Sequence, residues 1–517
     1  MLRCVSSSVF RAQLRRGHAG APNVVAKLRP FLSNIASFSS NPRIEEQTTV
    51  GGSTKPKSIP STLKYKRGLF LSRVVVDNFI ERKLKECNIA EISIFLTRSS
   101  SRSEDTASVT FLLGYHALIS KRLEILSEQD WSFWQIAATL SSLKCMRETE
   151  DGVQQIITSM TKVANAALAR DEVVTADDIT LMMKGLAGIA GREEETRKLL
   201  STITLAITRC KDIFTKAEVV LCLRALQGKN SDFPEVRGLL YVLTERLAAL
   251  NTGSISALAL SHIMFSTYRM SADSTEVTGL LTTVTNHIKK SPEGFNAEAI
   301  GNTIYGMQKM SSDVPEVTTL IRTILSTAER GTKDFAPQTS SNTFTGMKEF
   351  SSDNPEVRHL LTYLIPNVQG TVKCYHPRGL SDIFLGLKNM NSDCSEVRAV
   401  LQALNRHVLK GTGVMDAQSI GNTFFGLQNM KDDCKEVKDL LKGFVQIIRN
   451  SGGILSLEHI ERILFGLRKM NQNSFEVQEI LRTLLIKVKS TEKIIDTDIV
   501  IEDSAQIKLI LKALQQL

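Results

Sequence analysis

The residues best suited to recognition chemistry recur at a fixed interval. His262, Asn302, Asn342, Asp382, Asn422 and Arg462 follow one another at 40 residues, and each side chain can hydrogen-bond the edge of a nucleic-acid base. Their identity changes from position to position, as a reader of one base per interval requires. A structural ladder, in which Asn side chains cap neighbouring carbonyls along a stack, produces the same pattern. A second set, Arg269, Lys309, Lys348, Lys388, Arg468 and Lys469, lies near the ends of the same segments. These cations can pair with phosphates, or they complement the negative end of a helix dipole. Catalytic chemistry has no comparable signature. The histidines show no H-x-x-x-H spacing, the 8 Cys contain no C-x-x-C pair, and there is neither a phosphate-binding glycine loop nor a nucleophile elbow. The expectation is no enzyme, no catalytic residue, no cofactor, no metal and no small-molecule substrate.

The elements that position these residues follow from the same period. Met270, Met310, Phe350, Met390, Met430 and Met470 are 40 residues apart, and Glu276, Glu316, Glu356, Glu396, Glu436 and Glu476 each follow six residues later, with Val next. Each unit reads as two helices. In helix A, Ile300, Ile304, Met307 and Met310 form one apolar stripe at helical spacing. Asn296, Thr175, Thr215, Ser256, Asp416 and Ser456 mark its start as N-caps, and Pro337 and Pro377 serve where the cap is missing. Helix B opens with strings such as Asp313-Val314-Pro315-Glu316, read as a reciprocal Asp/Glu cap, and continues with Val317, Leu320, Ile321 and Ile324. A small residue stands four before the Met: Gly185, Ala225, Ser266, Gly306, Gly346, Gly386, Gly426 and Gly466. Glycine inside a helix costs about 1 kcal/mol against alanine. Its recurrence therefore predicts a close approach of neighbouring A helices.

Such units bury their apolar faces only by stacking. The sequence predicts an all-α fold, an α-solenoid of about nine 40-residue helix-turn-helix repeats over 132–495 with a C-terminal capping helix at 496–517. A degenerate first repeat is expected at 88–131, with Trp131 and Trp134 as core at the junction. The surface lined by A helices, usually the concave one, suits an elongated partner.

Charge is concentrated at the front. Of 64 Lys/Arg and 54 Asp/Glu, 17 and 6 lie within residues 1–100, leaving a body of 47 and 48 that is neutral. Residues 1–45 are rich in Arg and Ser and hold no acid before Glu45. That is the composition of an organellar transit peptide, addressing the mitochondrial matrix or alternatively a plastid. Residues 46–87 read as a basic linker and N-terminal segment. No apolar run is long enough to span a bilayer, so membrane insertion is not expected.

The Gly306-Met307-Gln308-Lys309-Met310 and Ser312-Asp313-Val314-Pro315-Glu316-Val317 strings resemble the octotricopeptide-type helical repeats of organellar proteins. They are also similar to the helical region of FAST-kinase-like mitochondrial RNA-regulating proteins. The resemblance covers residues 132–517 and implies non-catalytic binding of organellar transcripts, supporting their processing, stability or translation. The chain departs from that family in its neutral repeat body and in ending on a capping helix where many relatives carry a RAP-type domain. Both departures leave the alternative of a protein-interaction scaffold, or a peripheral subunit of an organellar ribosome or respiratory assembly.

Overall fold

The computed structural model describes residues 62–64, 70–72, 119, 121–126, 130–145, 151–250, 255–328, 335–371, 375–410, 414–452 and 455–495. The expected transit peptide and capping helix lie outside them, as does most of the expected degenerate repeat. The fold is an all-α solenoid of helical repeats, apart from one short hairpin. Contacts divide the chain into two compact units, residues 1–188 and 189–517.

In the first unit, strands β1 (Thr62–Lys64) and β2 (Phe70–Ser72) pair antiparallel with Leu63 opposite Leu71. This hairpin falls within the stretch expected to be a linker. Beside the cations of that stretch stand Leu63, Phe70 and Leu71, apolar residues of the kind strands use. Helices α1 (Phe133–Ser141), α2 (Asp151–Ala169) and α3 (Ala176–Gly185) follow, with α1 packed on both others. Trp131 is fully buried and its indole N–H donates to the Leu126 carbonyl at 2.9 Å, so it is core, whereas Trp134 is half-buried.

The second unit opens with a B helix, α4 (Glu194–Arg209). A and B helices then alternate: α5 (Lys216–Arg224), α6 (Pro234–Ala248), α7 (Ala257–Ser266), α8 (Thr275–Lys290), α9 (Ala297–Gly306) and α10 (Pro315–Thr327). The series continues with α11 (Pro337–Gly346), α12 (Pro355–Gly370), α13 (Pro377–Gly386), α14 (Ser395–Lys410), α15 (Ala417–Gly426), α16 (Lys435–Asn450), α17 (Leu457–Leu467) and α18 (Phe475–Ile495). Odd-numbered A helices from α5 pack on one another in order, and B helices do the same from α4. The result is two layers with the core between them. Ile300, Ile304, Met307 and Met310 of the A side and Val317, Leu320, Ile321 and Ile324 of the B side are all buried there.

The small-residue column is where A helices touch. A Cβ built on Gly306 would stand 1.8 Å from the Met264 carbonyl oxygen, and one on Gly346, Gly386, Gly426 or Gly466 would stand 2.0–2.1 Å from the equivalent oxygen one repeat earlier. In the first unit Gly185 meets Leu140 in the same way, at 2.0 Å. Where the column holds Ser266, its hydroxyl donates to the Leu223 carbonyl at 3.0 Å.

The A-helix caps fall where the sequence places them. Thr175, Thr215, Ser256, Asn296 and Asp416 each accept a hydrogen bond from the third residue of the helix. The B-helix start differs from its expected form. Proline occupies the first position of α10 and Val314 the cap, so Asp313 lies outside the helix. Proline's fixed φ suits that first position, but the boundary lies one residue later than the Asp/Glu pattern suggests also where Thr275 or Lys435 takes its place. Asp313 instead donates its backbone N–H to Ser311 Oγ at 3.1 Å, and the turn recurs at Asp273, Asp353 and Asp393. The glutamate is thereby freed to reach the preceding B helix, as Glu356 does to Arg322 at 2.8 Å.

Helix C-termini leave carbonyls without intrahelical partners. One column of B-helix donors supplies them. Arg246 donates to Ile207 and Cys210 carbonyls at 2.7 and 2.8 Å, and Lys487 reaches the Ser451 carbonyl at 2.6 Å. In the same column His287 and His407 turn Nε2 toward the Leu247 and Val368 carbonyls at 3.0 and 3.3 Å. Burial holds both imidazoles below the ordinary histidine range, which favours the neutral ring donating through Nε2.

Candidate nucleic-acid interface

On each A helix the residues turned away from the B layer fall at four positions. In α9 and its following turn these are Glu298, Asn302, Tyr305 and Lys309, all exposed or half-exposed between buried neighbours. The expected polar column occupies the second position and is half-buried in all six repeats. Asn342, Asn422 and Arg462 of this column bond with one another or with their own helices. Asn342 Oδ1 accepts from Gln338 at 2.9 Å. Asn422 Oδ1 accepts from Gln418 at 2.9 Å and from Arg462 of the next repeat at 2.7 Å, while Arg462 also pairs with Glu458 at 2.8 Å. Burial lowers the pKa of His262, assisted by Arg224; a neutral imidazole both donates and accepts. Burial raises that of Asp382, against the pull of Arg378 and Lys348.

A carbonyl-capping ladder does exist, but two columns further along. Asn389 donates to the Lys348 carbonyl at 3.0 Å, and Gln428 and Asn429 donate to the Lys388 carbonyl at 2.9 Å. Two of the six candidate phosphate contacts are drawn into this ladder. Lys388 Nζ is bonded to Glu349 at 2.7 Å and is 20% exposed. Lys348 Nζ donates to Gln308 Oε1 at 3.4 Å, and burial holds its ammonium below the ordinary lysine range. The remaining four stay on the surface. Lys309, Arg468 and Lys469 are exposed, and Arg269 is half-exposed with its guanidinium 5.7 Å from the Tyr268 ring centre. Among the described residues none of these four forms an ion pair.

The third surface position holds what sequence reasoning missed, a row of aromatic rings. Phe265 and Tyr305, one repeat apart, stack with centroids 4.8 Å apart and planes 14° from parallel. Tyr268 leans on the same pair, 5.9 Å from Tyr305. Phe425 and Phe465 stack likewise at 5.5 Å and 18°, and the Arg468 guanidinium lies 3.9 Å above the Phe465 ring. The signal was present in the sequence, since each of Phe265, Tyr305, Phe425 and Phe465 directly precedes the small-residue column.

No protein-family model and no curated protein matches this chain.

The interface is therefore defined by its own geometry. Half-exposed rings, cations and amide or imidazole groups share one face of the A layer, and together they can stack on bases, pair with phosphates and hydrogen-bond base edges. Among the described residues no helix is long and apolar enough to cross a membrane.

Proposed function

We propose that this chain is a non-catalytic helical-repeat protein that holds single-stranded RNA along the outer face of its A helices. The Arg- and Ser-rich composition of residues 1–45 supports a mitochondrial-matrix address for it, and the proposed role is in the processing, stability or translation of organellar transcripts. The observation that carries the reading is the pair of stacked ring sets, Phe265–Tyr305 and Phe425–Phe465, beside surface cations. Stacking on flat side chains tolerates any base, because every base has a π-face. The polar column between the rings supplies groups that distinguish one base from another.

A titration of labelled single-stranded RNA against salt tests this. With Arg269, Lys309, Arg468 and Lys469 as the phosphate contacts, the affinity should fall roughly fiftyfold between about 50 and 200 mM salt. Binding that ignores salt, or no binding in low salt, would contradict the proposal. The scaffold alternative draws on the middle of the same face, where Glu349 and Leu385 stand in the cation and ring columns beside Asp382. A protein partner seated there would leave RNA unbound in the titration.

A further inference from the structure

The rings and cations are not spread evenly over the face. In the third position Phe265 and Tyr305 are followed by Thr345 and Leu385 before Phe425 and Phe465 resume. The fourth position holds Arg269 and Lys309, then Glu349, Asn389 and Asn429, then Lys469. In the middle, Lys348 and Lys388 are bonded to Gln308 and Glu349. Thr345 spends its hydroxyl on the Ser341 carbonyl at 2.8 Å. Cation and stacked ring thus coincide at two places, and between them Arg378, exposed at the first surface position of α13, has no stacked ring beside it.

We infer that the face carries two separate stations for single-stranded RNA, which the strand enters one after the other. This rests on the reading proposed above. The first station is Phe265, Tyr268 and Tyr305 with Arg269 and Lys309. The second is Phe425 and Phe465 with Arg468 and Lys469, where the guanidinium over Phe465 extends the flat platform with a cationic plane. Tyr305 and Phe425 are three repeats apart. Helices pack at about 8–10 Å, so the gap is roughly 24–30 Å, or about seven to nine nucleotides at the 3.4 Å rise of a stacked strand. The intervening strand crosses Asn342, Asp382 and Leu385, with Arg378 the exposed cation on its path. A strand too short to bridge the gap occupies one station; a longer one gains the second as an intramolecular event.

The test is fluorescence anisotropy with the full chain and labelled oligouridylates of about 6 and about 16 nucleotides, bracketing the span set by the 3.4 Å rise. The longer probe should bind at least tenfold more tightly than its extra length alone provides. Replacing Phe425 and Phe465 by alanine, or Phe265 and Tyr305 by alanine, should bring the 16-mer close to the affinity of the 6-mer, a loss of roughly tenfold per ring. Phe425 and Phe465 are packed as well as exposed, so a surface variant, Arg468→Glu with Lys469→Glu, gives the same reading with both rings retained. Tyr241→Ala on the B layer, 55% exposed, should change nothing. If the unaltered chain binds the 16-mer but affinity rises smoothly with length, or if altering either station leaves the step intact, the two-station arrangement is wrong while RNA binding stands. If neither probe binds at all, both ideas fall.

Discussion

Gly386→Ala should destabilise the repeat array by about 3 kcal/mol, the range expected for a backbone-level overpacking. The sign is what makes the result informative. In an unobstructed helix the same change stabilises by about 1 kcal/mol, because alanine has less backbone freedom to lose. At Gly386 the added carbon would lie 2.0 Å from the Phe344 carbonyl oxygen and 2.6 Å from its carbon. Both belong to the backbone of α11, so no rotamer change relieves the contact, and α11 and α13 must separate. Separation disturbs packing along both layers. Gly386→Leu should therefore cost more. Gly279 in α8 is the internal control, since nothing lies within 4 Å of where its Cβ would stand; Gly279→Ala should raise the melting temperature. A rise for Gly386→Ala as well would show that the A helices do not meet at this column.

Lys229→Ala carries the other large effect. Lys229 stands in the column that elsewhere holds Met, and it is 0% exposed. Its ammonium donates to the Ile189 and Ala225 carbonyls at 2.8 and 2.7 Å. Its four-carbon stem takes the place of the methionine side chain in the core. Alanine would remove the stem and leave two buried carbonyls without this donor, each loss being costly by itself. The midpoint of chemical denaturation should report a loss of about 2–5 kcal/mol. Lys229→Met should lose less, because it restores volume but not the donor. Equal losses for the two substitutions would mean that packing contributes nothing there, and a loss under about 1 kcal/mol for alanine would mean that the buried ammonium is replaceable.

Much of this architecture is legible in the sequence because repetition averages away local ambiguity. One glycine in a helix is noise, whereas Gly306, Gly346, Gly386, Gly426 and Gly466 at one register define a contact. The A-helix caps were readable for the same reason, since a capping oxygen bonds within three residues of its own position. What was not legible depends on distances between repeats. Lys348 and Lys388 look like surface cations in a one-dimensional reading. Only the lateral offset of adjacent A helices brings Gln308 and Glu349 within their reach. The cap of helix B lies one residue later than its Asp/Glu pattern suggests, because the aspartate is held in the preceding turn, Asp313 by Ser311 and Asp273 by Ser271. The aromatic row does not stand out in the sequence, because Phe and Tyr beside an apolar stripe resemble more core. In fact Tyr305 lies one residue past Ile304, about 100° around the helix, and so faces outward with Asn302 and Lys309.

The central claim, that single-stranded RNA lies on the A-helix face, is tested most directly by photocrosslinking. A 4-thiouridine-containing single-stranded RNA would be irradiated with the full chain and the adducts mapped by peptide mass spectrometry. Adducts are expected in α7, α9, α15, α17 and the turns that follow them, centred on Phe265, Tyr305, Phe425 and Phe465. Adducts confined to the B helices, or none under low-salt conditions, would contradict the claim.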